Sequence, residues 1–221
     1  MSTIIIACQT IERELLAAMA RTKANYPIRW LESGLHDVPK LLHQRLQQEL
    51  DTCSDYDTVL LAMAFCGNSV VGLRTQDFRL VLPRCDDCIT LLLGSPERRQ
   101  EITYTYFLTD GWLKGQRNIW VEYESCLKRY GEKRGKRIFD SLFANYKHLA
   151  LVETGAYDAD QAEQEALQIA EKLGLEYRRI PGGIDYLCQL LEGNWPENRF
   201  VVVPPHGEIT SGDCTWKGAA I

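Results

Sequence analysis

The chain has 221 residues, 45% of them hydrophobic and 25% charged, with a formal net charge of -5. This composition supplies a buried core and excludes a disordered chain, and the acidic balance leaves no pervasive basic field for a nucleic-acid backbone. No apolar run approaches a membrane span and the start lacks a basic, apolar leader, so the sequence reads as a cytoplasmic protein with reduced thiols, bound to neither membrane nor nucleic acid.

In chain order, Ile4–Ala7 reads as a buried strand, followed by a helix capped by Thr10 and running to about Lys23. Ile28–Leu31 is a second strand, broken by Gly34. Asp37 caps a helix from Pro39 that carries Leu41, Leu42, Leu46 and Leu50 on one face. Thr58–Ala64 is a third strand, turned by Phe65-Cys66-Gly67-Asn68, and Leu80–Leu82 a fourth. Asp87 caps a short helix reaching Gly94. Residues 101–118 read as extended and connecting, and 119–146 as helical with a break near Gly131–Gly135. The basic run from Lys128 to Arg137 reads as a solvated helix face, or alternatively as a contact for an acidic partner or a nucleotide phosphate. The pattern then resumes: strand His148–Val152, a helix from Asp158 or Asp160 stopped by Gly174, strand Leu175–Ile180, a Pro181-Gly182-Gly183 turn, helix Ile184–Leu191 and strand Phe200–Val203.

Residues 4–68 and 149–207 thus share one order of elements. The expectation is an α/β fold of two similar parallel-sheet βαβαβ lobes facing a shared cleft. The boundaries are an N-terminal lobe at 1–100, a connecting segment with helices at 101–147, a C-terminal lobe at 148–209 and a tail at 210–221.

The eight cysteines divide on this frame. Ligands of open parallel sheets sit at the carboxyl ends of strands, and Cys8 and Cys66 end strands one and three. In a 2-1-3-4 strand order, Cys85 and Cys88 join them, whereas a 3-2-1 order separates Cys8 from Cys66. Cys53, Cys126 and Cys188 fall in helices and read as packing, and Cys214 lies in the tail. Clustered thiolates suit zinc or an iron–sulfur cluster. A redox pair is opposed by the negative Asp86 and Asp87 inside Cys85-x-x-Cys88, and a racemase-type pair of thiols lacks a cysteine in the second lobe. That lobe offers Glu153 and His206 as acid/base candidates, while Arg84, Gly67, Asn68 and Trp112 are candidate ligand contacts. His36 and His43 read as capping or surface residues.

Phe65-Cys66-Gly67-Asn68 with Val71-Gly72-Leu73, then Leu82-Pro83-Arg84, Asp87 through Ser95, and Thr109-Asp110-Gly111-Trp112, resemble an uncharacterised domain family of anaerobic and methylotrophic bacteria and methanogenic archaea. The family is encoded near corrinoid-dependent methyltransferases and their activating proteins. The resemblance implies a role in one-carbon metabolism, with a corrinoid protein or methyltransferase as partner and a corrinoid brought by it. It also implies three site cysteines, Cys8, Cys66 and Cys88; Cys85-Asp86 departs from the small residue and histidine of the family pattern. The leading expectation is a metal or iron–sulfur centre at Cys8, Cys66 and Cys88, with or without Cys85, that serves methyl transfer as an enzyme or as an accessory. The alternatives are a non-catalytic module holding a small ligand or partner in the cleft, and a cysteine-dependent racemase or redox enzyme.

Overall fold

The computed structural model describes residues 2–35, 38–115 and 118–215. His36, Asp37 with its expected cap, and the tail from 216 onward lie outside them. The fold is mixed α/β: a five-stranded sheet and a three-stranded sheet, with nine α-helices among the described residues.

The larger sheet contains β1 (Thr3–Cys8), β2 (Ile28–Leu31), β3 (Thr58–Ala62), β4 (Arg79–Pro83) and β8 (Phe200–Val203), in the order β2-β1-β3-β4-β8. The first four strands are mutually parallel. β1 and β3 lie side by side at its centre and are covered on both faces. Their residues are therefore apolar without alternation, and Ile4, Ile5, Ile6, Leu60 and Leu61 are all buried. Each such side chain contributes about 1.5–3 kcal/mol of transfer free energy. The helices α1 (Glu12–Thr22), α2 (Pro39–Leu50), α3 (Cys88–Leu93) and α4 (Pro96–Glu101) come from this half of the chain. A short 3-10 turn, Gln9–Ile11, joins β1 to α1.

The smaller sheet is β5 (Thr105–Leu108), β6 (His148–Glu153) and β7 (Glu176–Pro181), all parallel. One of its faces, with Ala150 and Val152, packs into the core of the larger sheet. The other, with Leu108, Leu149 and Leu151, lies under the hairpin of α6 (Ile119–Tyr130) and α7 (Glu132–Leu142) and under α8 (Ala159–Leu173). The short α5 (Asp110–Leu113) follows β5, and α9 (Asp185–Glu192) packs on α1.

Three expectations change here. The segment 101–118 is not a plain connector: Thr105–Leu108 is a strand, and it pairs with β6 because its buried Thr105, Phe107 and Leu108 have a core to enter. Phe200–Val203 does not complete a second βαβαβ unit. It crosses to the larger sheet and pairs antiparallel with β4, Leu80 opposite Val203 and Pro83 opposite Phe200. Thr10 caps no helix, because the 3-10 turn precedes α1 and Ile11 occupies the cap position without a side-chain bond. The caps at Asp87 and Asp158 and the stop at Gly174 are as read from sequence.

Candidate functional site

The order 2-1-3-4 reverses chain direction of growth between β1 and β3, which opens a crevice at their carboxyl ends. A cavity of about 220 Å³ lies there. Cys8 reaches it from the end of β1, Leu31 and Glu32 from the end of β2, and Met63, Cys66 and Gly67 from the segment after β3. Asp86, Asp87 and Cys88 enter from the loop after β4, and Trp112 from α5. The lining is mostly apolar, with three thiols, three carboxylates and no cationic side chain among the described residues.

The backbone is bent to present these groups. Cys66, Gly67 and Asn68 have φ of 45, 66 and 63°, a run of three left-handed residues, two of which carry side chains. Such conformations cost of order 1–3 kcal/mol at a non-glycine residue and persist only where surroundings hold them. Here the amides of Phe65 and Cys66 donate to the carbonyls of Cys85 and Asp86, and the Ser69 amide donates to Phe65. His43 Nδ1 lies 3.0 Å from the Ser69 carbonyl, so this histidine steadies the turn from α2. Asp87 accepts from the Thr90 amide at 2.6 Å and from its hydroxyl at 2.8 Å, which fixes the start of α3 and with it Cys88.

All eight cysteines are free thiols. Cys66 and Cys88 are in side-chain contact. That contact, then burial, pushes the Cys88 thiol well above its usual range, although the Ala64 amide opposes the shift. Cys8 donates to Thr10 Oγ1 at 3.2 Å. Burial and then the neighbouring Cys88 raise it to about 11. Cys85 is buried beneath the cavity rather than lining it, and burial raises it as well. Three of the four expected cysteines thus share one cavity, and the fourth packs behind them.

The donor types suit a soft metal, but the arrangement does not hold one as it stands. Among the described residues no three His, Cys, Asp or Glu side chains converge as a metal site. A thiol also gives up its proton to become a ligand, which this anionic, buried surrounding opposes until a cation arrives.

The remaining candidates are placed elsewhere. Arg84 is buried, and its guanidinium donates to the carbonyls of Glu197, Asp213 and Thr215, so it straps the C-terminal segment and stands outside the cavity lining. Asn68 is exposed beside Gly67 and outside the lining. Glu153 closes β6 and is paired with Arg179, which holds its carboxyl below the usual range. His206 sits 3.1 Å from Asp77 at the amino edge of the parallel strands, because antiparallel β8 carries the chain away from the cysteines. Cys53, Cys126 and Cys188 are buried in packing positions, Cys188 also accepting from Arg21.

Sequence reading missed Glu32, although it directly follows the end of β2. It also missed Glu14, a carboxylate on the apolar stripe of α1 between Ile11 and Ala18. Glu14 is 1% exposed and accepts from Thr154 Oγ1 at 3.0 Å. Burial raises its carboxyl above the usual 4.5.

A family model described as "Protein of unknown function (DUF1638)" matches residues 30–191. No curated protein and no solved structure matches the chain.

Proposed function

The chain belongs to the DUF1638 family of proteins of unknown function, and from that premise we propose that it binds a small, soft, cationic ligand in the cavity at the strand ends. One observation carries this reading. Three thiols delivered by three separate segments share a cavity with Glu32, Asp86 and Asp87, and the described lining contains no positive charge. Sulfur supplies polarisable donors, and the carboxylates supply a field that favours a cation. Trp112 closes the cavity with a flat apolar wall.

Of soft cations, zinc or the iron of an iron–sulfur cluster is the leading choice, and Cys8, Cys66 and Cys88 are the residues that would hold it. The corrinoid-dependent methyl-transfer setting implied by the resemblance is part of this proposal and rests on the resemblance alone. A second reading has its own observation. The mostly apolar lining fits a neutral small molecule in a binding module, with the thiols as packing.

Protein purified without oxygen is assayed for metal content and absorption, then titrated with cadmium as a zinc surrogate. The expected result is a sulfur-to-metal charge-transfer band and a raised melting temperature. Both are lost in Cys66→Ser and Cys88→Ser and reduced in Cys8→Ser. No band and no stabilisation in the wild-type protein overturns the cation reading. A neutral ligand that stabilises all three serine variants equally establishes the second.

A further inference from the structure

The hairpin of α6 and α7 carries an unusual charge. Residues 128–137 include six cations, Lys128, Arg129, Lys133, Arg134, Lys136 and Arg137, against one anion, Glu132. The rest of the chain then holds 19 cations (25 less six) and 29 anions (30 less one), a balance of -10. All six cations are exposed. Lys136 pairs with Asp140 on its own helix. Arg129 and Arg134 lie over the ring of Tyr130. No carboxylate partner occurs for Lys128, Lys133 or Arg137 among the described residues.

The neighbouring helix has the opposite sign. From Asp158 to Glu171 the sequence contains five acidic residues and no cation. Arg179 neutralises Asp160 and reaches Glu163, which leaves Asp158, Glu165 and Glu171 facing outward. The hairpin and α8 cover the same face of the smaller sheet, sharing one apolar cluster that joins Cys126 and Phe139 to Ala166 and Ile169. Lys172 of α8 lies over the Trp120 ring of α6 at 4.5 Å, so α8 also touches the first turn of the hairpin's first helix. The same layer exposes Leu142 at 68% and Leu167 at 45%.

A positive patch beside a negative patch is complementary to itself under a two-fold rotation. We propose that this outer layer is a dimer interface between two copies of the chain, the basic hairpin of each lying on the acidic α8 of the other. Phosphate backbones fit the surface less well, since a chain of phosphates extending past the hairpin meets the acidic body. Three helices about 10 Å wide and about 20 Å long present roughly 600 Å² per copy, or about 1,200 Å² in total, the low end of a specific interface. The dimer is accordingly weak and dependent on its charges.

The test is sedimentation equilibrium of the full chain at about 0.01 M and about 1 M salt, where charges are felt over about 30 Å and about 3 Å respectively. A dimer at low salt that dissociates at high salt is expected. Lys133→Glu with Arg137→Glu weakens it by roughly five- to tenfold, as does Glu165→Lys with Glu171→Lys. The protein carrying all four changes recovers the dimer. A monomer at low salt, a dimer indifferent to both reversals, or no recovery in the fourfold variant overturns the proposal. The wild-type salt series decides the matter even where a variant folds poorly.

Discussion

Glu14 is a carboxyl group held where water does not reach. Its neighbours are Thr154, Asp110, Arg13 and Tyr157, and only Arg13 carries a positive charge. Burial is the dominant cause of its raised value, so the native state keeps it protonated to a higher pH than the unfolded chain does. The stability it contributes is complete below about 4.5 and is lost as pH rises through the native value. Glu14→Gln keeps a neutral acceptor for Thr154. Urea midpoints from acid to neutral pH are expected to fall in the wild-type protein relative to this variant, and to coincide with it at the acid end. The cavity thiols give a second prediction. With Cys8 raised from 9.0 to about 11, its thiolate is about a hundredfold scarcer at neutral pH than an ordinary cysteine's. Mass mapping after brief iodoacetamide treatment is expected to find Cys8 slow at pH 7 and accelerating throughout the alkaline range. The sequence made Cys8 and Cys66 conspicuous because strand ends can be counted. It hid Glu14, because a glutamate in a first helical turn reads as ordinary until the second sheet is seen to cover it.

Elements were legible where periodicity and caps agreed. The helix beginning at Asp87 and the one between Asp158 and Gly174 have polar caps that bind free amides, and both are found where the sequence puts them. Thr105–Leu108 was illegible because four residues are too short for a periodic signal and its partner β6 lies more than forty positions later. The contact of α5 with the β1–α1 turn was equally hidden. A Cβ at Gly111 would lie 2.0 Å from the Thr10 carbonyl oxygen, so the two segments meet backbone to backbone. Thr10 lies two residues from Cys8, and Trp112 follows Gly111, so this contact sets the spacing of two cavity walls. Gly111→Ala is expected to destabilise the fold by about 1–3 kcal/mol, the range of overpacking, and to weaken cadmium binding. Denaturant unfolding and the charge-transfer titration measure the two effects.

At the scale of the molecule, the two sheets are not independent. The inner face of the smaller sheet, with Phe107, Ala150 and Val152, belongs to the same apolar cluster as the centre of the larger one. Removing either sheet would expose that shared surface, so one cooperative transition is expected. Tryptophan fluorescence and far-ultraviolet circular dichroism should give superimposable urea curves at a salt concentration where the protein is monomeric. The α/β class was readable from the alternation of strands and helices, whereas the destination of the last strand was not. Phe200–Val203 is an apolar run that either sheet could bury, and only the tertiary arrangement assigns it to β4.

That assignment affects the order in which the molecule can be made. On the ribosome, residues 2–113 supply all the cavity walls, yet the β4 edge of the sheet behind them stays unpaired until Phe200–Val203 emerges. Pairing across more than a hundred residues is slow to close, since the loop entropy is spent before the contact returns it. A nascent chain therefore carries its thiol pocket on an unfinished sheet, with an open edge able to recruit a wrong strand. The longer that interval lasts, the longer the open β4 edge is exposed to other strands.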